Sequence, residues 1–452
     1  MKIFVKTFFL VSILLVSGKV LSQEDNQIIN YVNEIDGLWR RGATDSAIEY
    51  SLKIYNSDQS LFREKMQNTF SQYIIYGYNK DYASKFIKRL YQRNIQNINA
   101  IIAPIYILNA ITETNDKDSV EILIKSFYKL LSNVYNYKYK TESYGLLVLQ
   151  QMTLKGIDDK DLYYNFINTI IRNVKSNPYI DSTTVKEGRK QVIRAWCRFI
   201  LSYSYYQLYQ QDPDSKDAEI QLQLASRYSP DFSDKVVSWA YGYDADYLNK
   251  NNKKIGYKSD YFEYLVRKKK IVEALYVLTQ LAIITPTNDN CNKLKQFYAT
   301  MNNEKPFQKY WIETINDYAQ AFPRLTLKFI DNQIIVIGKS EDQFTYIDVW
   351  GTWCSPCVRE LPDLQKLYTK NRSNPNTRLT IYTFSSGSKN LSEFMEKNHF
   401  TFPVAEISDS LVQQLRIVEF PTKILITPQG RYLNIPYGVD WRESLFNYCM
   451  IE

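Results

Sequence analysis

This sequence contains little histidine, cysteine and glycine for its length. Its 452 residues include one histidine, five cysteines and 14 glycines. A single histidine excludes most sites that pair an imidazole with a serine or cysteine nucleophile. Five cysteines are too few for a fold held together by disulfides, and no glycine-rich phosphate-binding loop is present. The candidate chemistry therefore lies among a small number of side chains.

Long apolar runs are also missing beyond the N-terminus. Residues 8–16 form a short apolar stretch that follows two lysines. Further on, the segment Val20–Ser22 ends with a small residue, the serine. This arrangement is typical of a secretory signal peptide that is cleaved before Gln23. We therefore expect residues 1–22 to be a signal peptide and the protein to be exported to the periplasm. An uncleaved signal is the alternative, and only then would the protein be associated with the membrane.

Basic residues outnumber acidic ones, and the formal net charge is +8. The basic residues cluster locally at Lys253–Lys254 and Lys268–Lys270. No nucleic-acid-binding motif accompanies these clusters, which indicates solvated helix faces. We therefore expect no nucleic-acid partner.

Residues 23–321 show helical rather than alternating apolar spacing. Helices separated by short polar turns and prolines resemble degenerate tetratricopeptide repeats, although no strict period is visible. The region is expected to bind proteins or peptides, or else to serve as a scaffold. Helical spacing ends near residues 319–323, and two apolar stretches joined by Asp331–Asn332 then predict a β-hairpin. Residues 322–452 are therefore predicted to form a second domain.

The most informative motif is Trp353-Cys354-Ser355-Pro356-Cys357. The apolar run 344–350 precedes it and a helical pattern follows it, and this is the context of a dithiol redox site. A helix N-terminus favours a thiolate because its backbone N–H groups are unpaired and the helix dipole is positive there. We predict that Cys354 is exposed and attacks a disulfide, and that the more sheltered Cys357 resolves the mixed disulfide.

The same two cysteines could instead be half of a zinc site. Zinc would need two more ligands from His399, Cys197, Cys291 and Cys449, none of which is close to another in sequence. Cys197 and Cys449 lie in helical patterns and are expected to be inert, whereas Cys291 follows a loop-like stretch and is the candidate for reactivity. We expect neither a metal nor another cofactor.

Other residues accompany the dithiol. Asp348 lies on the preceding strand, where burial would raise its pKa and let it accept a proton from the second cysteine. Phe420–Pro421 comes just before an apolar strand, where a cis X–Pro bond often turns the chain. Phe420, Pro421 and Trp353 are the candidate substrate-binding residues. Glu360 is expected to be a solvated acid in the first turn of the helix.

Together these residues resemble the TlpA/ResA-like thiol:disulfide oxidoreductases of bacterial cell envelopes, which have the thioredoxin fold. The segments that carry the resemblance are residues 350–357, 360–362, 420–421 and 424–430. It implies that Cys354 attacks, Cys357 resolves, Asp348 is the buried acid and Pro421 is the cis-proline. The predicted fold class is multidomain, with an all-α helical-hairpin region followed by an α/β thioredoxin-like domain.

The predicted function is reduction of disulfides in envelope proteins. Ser355 and Pro356 place no charge between the cysteines, so the thiolate lacks the special stabilisation found in strong oxidants. The resemblance implies a membrane-embedded thiol reductase as electron donor and disulfide-bearing client proteins as partners. The alternative is a helical-repeat interaction module with an accessory or regulatory thioredoxin-like domain. The completeness of the dithiol site favours the enzyme.

Overall fold

A computed structural model describes most of the chain. The described residues are 34–35, 37–38, 41–66, 80–132, 141–181, 188–231, 234, 237–249, 254–301, 304–340, 343–374, 377–417, 419–436 and 439–450. The predicted signal peptide lies outside these ranges. Among the described residues, no helix combines the length and apolar character needed to cross a membrane.

The chain divides into two compact units. One comprises the described residues up to Gln221 together with Trp239–Ile255, and the other comprises Leu222–Ser238 and the residues from Gly256 onward. The helices before the sheet are α1 (Thr44–Ser57), α2 (Gln59–Lys65), α3 (Lys80–Gln92), α4 (Gln96–Glu113), α5 (Lys117–Ser132), α6 (Thr141–Leu154), α7 (Lys160–Lys175), α8 (Gly188–Gln211), α9 (Ala218–Tyr228), α10 (Trp239–Leu248), α11 (Lys258–Arg267), α12 (Ile271–Ile284), α13 (Asn288–Ala299) and α14 (Phe307–Tyr318).

The helices of the first unit form because their apolar residues recur at helical spacing. In α7 the carboxylate of Asp159 accepts the backbone N–H of Leu162 and caps the helix. The buried stripe of this helix recurs every three or four residues and includes Phe166, Ile167, Ile170 and Val174. Neighbouring helices pack against one another through such stripes. The predicted order of an all-α region followed by an α/β domain is confirmed, whereas tetratricopeptide-like repeats stay a prediction.

The second unit contains the sheet. Its remaining elements are β1 (Gln320–Ala321), β2 (Leu325–Lys328), β3 (Ile334–Ile337), β4 (Phe344–Trp350), α15 (Ser355–Arg372), β5 (Leu379–Ser386), α16 (Leu391–Lys397), β6 (Val404–Ile407), α17 (Asp409–Gln414), β7 (Thr422–Ile426), β8 (Arg431–Asn434) and α18 (Trp441–Cys449). The strand order is β1-β8-β7-β4-β5-β6. Strands β4, β5 and β6 are parallel, while β7 runs antiparallel to β4. The predicted hairpin is present as β2–β3, with Asn332 in the left-handed region at its turn.

Strand β4 lies in the middle of the sheet, and all of its residues are buried. Because side chains alternate along a strand, Ile347 and Val349 lie on one face and Tyr346, Asp348 and Trp350 on the other. Ile347 and Val349 belong to a hydrophobic cluster built from the sheet, the β2–β3 hairpin and α17. The opposite face therefore carries one carboxylate among aromatic side chains.

Helix α18 packs against helices that precede the sheet in the sequence. The indole N–H of Trp311 donates to the carbonyl oxygen of Asn447 at 3.0 Å, and the Tyr448 hydroxyl donates to the carbonyl oxygen of Ile283. Trp311 and Tyr448 are both buried. The compact unit that contains the sheet thus includes helices that come before residue 322. A domain boundary between residues 321 and 322 stays a prediction.

The isolated segments 222–452 and 322–452 test this boundary. We expect the shorter segment to have a lower free energy of unfolding, by at least about 3 kcal/mol, because it lacks Trp311 and exposes the Tyr448 side of α18. Urea unfolding of both oxidised segments, followed by circular dichroism, measures the difference. Equal stability of the two segments would show instead that an independent domain begins at residue 322.

Candidate active site

The dithiol lies at the start of α15. Cys354 is the N-cap of this helix, and the backbone N–H of Cys357 points to its Sγ at 3.3 Å. The two sulfurs are joined in a disulfide. Pro356 sits in the first turn, where the absence of an N–H costs no helical hydrogen bond. The predicted order of strand, dithiol turn and helix is present.

Both cysteines are shielded from solvent. Cys354 is 5% exposed and Cys357 is 1% exposed, so the predicted order is correct. The prediction that Cys354 itself is exposed is wrong for this oxidised state, in which its sulfur is bonded to Cys357 and accepts the backbone N–H of the same residue. The neighbouring Trp353 takes the exposed position instead.

Trp353 and Phe420 form an aromatic pair beside the dithiol. Their ring centroids lie 5.1 Å apart in an edge-on arrangement, and the Trp353 indole N–H donates to the carbonyl oxygen of Ser386 at 2.8 Å. A side chain at Gly351 would come within 2.5 Å of the same indole nitrogen, so this position requires glycine. The Phe420–Pro421 peptide bond is cis, as the resemblance implied. Client binding by these residues stays a prediction.

Asp348 is a buried acid, as its position on the strand predicted. Its side chain is 2% exposed, and burial is the main cause that raises its pKa from 3.8 to about 6. The charge of Lys423 opposes this rise, whereas the charge of Glu360 adds to it. The Tyr346 hydroxyl donates to Oδ2 of Asp348 at a long 3.5 Å. The carboxyl group can therefore change its protonation state near neutral pH.

Lys423 is a site residue that the sequence analysis missed. Its Nζ lies 2.6 Å from Oε2 of Glu360 and 3.6 Å from Oδ1 of Asp348, and its side chain is only 7% exposed. The register of β4 and β7 places Asp348 directly opposite Lys423. The available signal was a lysine inside the apolar strand that follows Pro421, because a buried charge needs a partner. Glu360 keeps partial exposure to solvent, at 39%, but it lies beyond the first turn of α15 and also pairs with this buried lysine, which the sequence analysis did not predict.

The remaining cysteines lie outside the site. Cys197 and Cys449 are buried, and burial raises the pKa of the Cys449 thiol well above its usual value. Cys291 lies in the first turns of α13 rather than in a loop, and burial raises its pKa to about 12. The expected loop placement of Cys291 is therefore wrong, and the raised pKa disfavours the thiolate, which is the nucleophilic form.

Comparison with known proteins places the similarity in the same part of the chain. Residues 342–432 match the protein-family model described as thioredoxin-like. The sporulation thiol-disulfide oxidoreductase A of Bacillus subtilis is 28% identical over 122 residues, which cover 26% of this chain and 73% of that protein. The thiol-disulfide oxidoreductase ResA of Oceanobacillus iheyensis is 25% identical over 153 residues, which cover 33% of this chain and 78% of that protein.

Some solved structures are also similar to part of this chain. The crystal structure of StoA from Bacillus subtilis is 26% identical and covers 28% of this chain and 96% of its own, with a TM-score of 0.25. The thioredoxin domain of a thiol-disulfide oxidoreductase from Bacteroides vulgatus is 20% identical and covers 29% of this chain, with a TM-score of 0.26. The family match and the sheet around β4 together identify the C-terminal part as a thioredoxin-like domain.

The raised pKa of Asp348 predicts a pH-dependent stability gain in the Asp348→Asn variant. The native state binds this proton more tightly than the unfolded chain, so ionisation of Asp348 lowers stability as the pH rises from about 4 to about 6. Asparagine avoids this cost, and we expect it to increase the free energy of unfolding at pH 8 by up to about 3 kcal/mol. Urea unfolding of the oxidised protein at pH 4 and pH 8 measures the gain, which should nearly vanish at pH 4. The same gain at both pH values would mean that ionisation of Asp348 is not its cause.

Proposed function

We propose that this chain is an extracytoplasmic thiol:disulfide oxidoreductase that reduces disulfides of envelope proteins through Cys354 and Cys357. The observation that carries the proposal is the dithiol at the N-terminus of α15, on the strand-and-helix unit that also buries Asp348. The similar proteins are named thiol-disulfide oxidoreductases, which supports the reaction class. The extracytoplasmic location rests on the predicted signal peptide, residues 1–22.

The first step is attack by the reduced dithiol on a client. The Cys354 thiolate attacks one sulfur of the client disulfide, that disulfide breaks, and one client thiolate leaves. A mixed disulfide then joins Cys354 to the client. The N–H of Cys357, which points to the Cys354 sulfur, and the positive end of α15 favour the attacking thiolate.

The second step releases the client. Cys357 loses its proton to Asp348, and its thiolate attacks the Cys354 sulfur. The mixed disulfide breaks, the second client sulfur leaves as a thiolate that takes up a proton from water, and the Cys354–Cys357 disulfide forms. Two electrons have then passed from the dithiol to the client. A carboxyl group with a pKa of about 6 is largely ionised at neutral pH and is able to accept this proton.

A further cycle requires two electrons from a donor. In the proposed role, a membrane-embedded thiol reductase reduces the Cys354–Cys357 disulfide by the same exchange chemistry. Ser355 and Pro356 carry no charge, so the reduced dithiol gains little extra stability, which favours the reducing direction. In the same role, the helical region of residues 23–321 supplies a surface on which clients bind before exchange.

Substitution of the two cysteines separates their roles. Cys354→Ser should abolish disulfide reduction because it removes the nucleophile, whereas Cys357→Ala should keep the attack and accumulate mixed disulfides. Non-reducing electrophoresis and mass spectrometry with a disulfide-bonded model protein measure the adducts, with Cys291→Ser as the matched control for loss of a thiol. If Cys357→Ala trapped no more adduct than Cys354→Ser, the assignment of attack and resolution would be wrong.

The proposed role of Asp348 predicts a kinetic effect. Asp348→Asn should slow resolution of the mixed disulfide near pH 7 by at least about tenfold, because general-base catalysis typically contributes this much or more. The pH dependence of the resolution rate should lose its rise near pH 6. Stopped-flow measurement of client release tests both effects. An unchanged rate and pH profile would restrict Asp348 to a packing role.

A further inference from the structure

We propose that Lys423 is a positioning residue for thiol–disulfide exchange: its ammonium joins Asp348 to Glu360 and thereby controls when Asp348 carries a charge. The inference rests on the proposed function, in which Asp348 accepts the proton of Cys357. It assigns a role to a buried cation that the exchange steps themselves do not use.

The first support is the position of the ammonium group. Strand pairing brings Lys423 on β7 opposite Asp348 on β4, and Glu360 reaches the same nitrogen from α15. The distance from Nζ is 2.6 Å to Glu360 and 3.6 Å to Asp348. Oδ1 of Asp348 is buried and accepts no hydrogen bond from the residues that the structure describes. The ammonium therefore bonds to Glu360 and acts on Asp348 through its charge.

The second support is the shielding of this group from water. The ring of Trp441 lies over the ammonium, with 5.5 Å between Nζ and the ring centroid. Trp441 in turn stacks on Tyr346, with 5.6 Å between the two centroids. Two charges that are shielded from water interact more strongly than two exposed charges, because the dielectric constant around them is lower. A buried lysine without partners would be costly, so the two carboxylates also explain why Lys423 is tolerated.

The third support is the unequal exposure of the two carboxylates. Glu360 is 39% exposed, whereas Asp348 is 2% exposed. Glu360 thus holds the ammonium at the edge of the site. The ammonium lies farther from Asp348, so its attraction for the Asp348 carboxylate is weaker than its attraction for Glu360. A proton that arrives on Asp348 removes its attraction for Lys423, and loss of that proton restores it.

The charged and titratable groups around Asp348 are few among the described residues. They are Tyr346 on β4, Glu360 on α15, Lys423 on β7 and, beyond Glu360, Arg442 on α18. Thr383 is the residue opposite Asp348 on β5 and carries no charge. Arg442 is paired with Asp363 at 3.1 Å and with Asp440 at 3.1 Å. Among the residues that the structure describes, Lys423 is thus the cation that acts on Asp348.

This arrangement predicts opposite effects for two substitutions. Lys423→Met removes the positive charge with little change in length, so the pKa of Asp348 should rise by about one unit or more. Glu360→Gln removes a negative charge and frees the ammonium for Asp348, so the pKa of Asp348 should fall. A role of Lys423 in packing alone predicts neither the shifts nor their opposite signs.

The experiment uses the full-length oxidised protein with ¹³C-labelled aspartate. The Asp348 carboxyl signal is identified by its loss in Asp348→Asn, and its titration is followed by NMR in wild type and in both variants. Lys366→Met, at an exposed lysine of α15, controls for loss of a positive charge. Glu419→Gln controls for the loss of another carboxyl group, one whose pKa burial raises to about 7. We expect the pKa of Asp348 to be unchanged in both control variants.

The pH dependence of mixed-disulfide resolution is then measured in the same variants. We expect its midpoint to move upward in Lys423→Met and downward in Glu360→Gln, together with the titration. The proposal is overturned if the two titrations move in the same direction, if Lys423→Met leaves the titration unmoved, or if resolution does not follow the titration. Glu360→Gln, at a partly exposed position, keeps the test valid if Lys423→Met fails to fold. A wild-type protein that does not reduce disulfides would refute the proposed function, whereas the titration would still test the link between Lys423 and Asp348.

Discussion

The burial of Asp348 on the central strand is the constraint on which the site depends. A carboxylate that is removed from water must be neutralised or paired, and the structure combines both solutions. Its pKa is raised to about 6, and Lys423 lies 3.6 Å away on the neighbouring strand. The dithiol is placed by the same strand, because β4 leads directly into the turn that begins α15. The buried carboxyl group and the thiols are therefore positioned by one short stretch of backbone.

The two faces of β4 carry different kinds of side chains. One face joins the hydrophobic cluster that holds the sheet together, and it requires only apolar side chains. The other face carries Asp348 between two aromatic side chains, Tyr346 and Trp350. Tyr346 stacks on Trp441, and Trp350 packs against Phe394. The side chains that stabilise the sheet and those that surround the Asp348 carboxyl group thus lie on opposite sides of the same strand. A substitution on one side need not alter the other.

The sequence predicts the parts of this site that are local in the chain. The dithiol, its strand and its helix are neighbours in sequence, so their order and the burial of Asp348 follow from apolar spacing. The pairing of Asp348 with Lys423 depends on the register of β4 and β7, which are far apart in sequence and have no local signal that specifies it. Cys291 was misjudged for a related reason: proline and polar residues precede it, yet Thr287 caps a helix that already contains it. Long-range register and helix caps, rather than composition, decide these cases.

Helix α18 connects the site to the helices that precede the sheet. Its N-terminal residue Trp441 covers the ammonium of Lys423, and its C-terminal residues bond to Trp311 and to the end of α12. A helix is stiff over so short a length, so a displacement of α18 at one end moves Trp441 at the other. Movement of Trp441 would admit water to Lys423 and weaken its interaction with Asp348. The helices around Trp311 therefore contact the same helix whose first residue covers the ammonium of Lys423, so packing at one end of α18 and shielding at the other depend on one element.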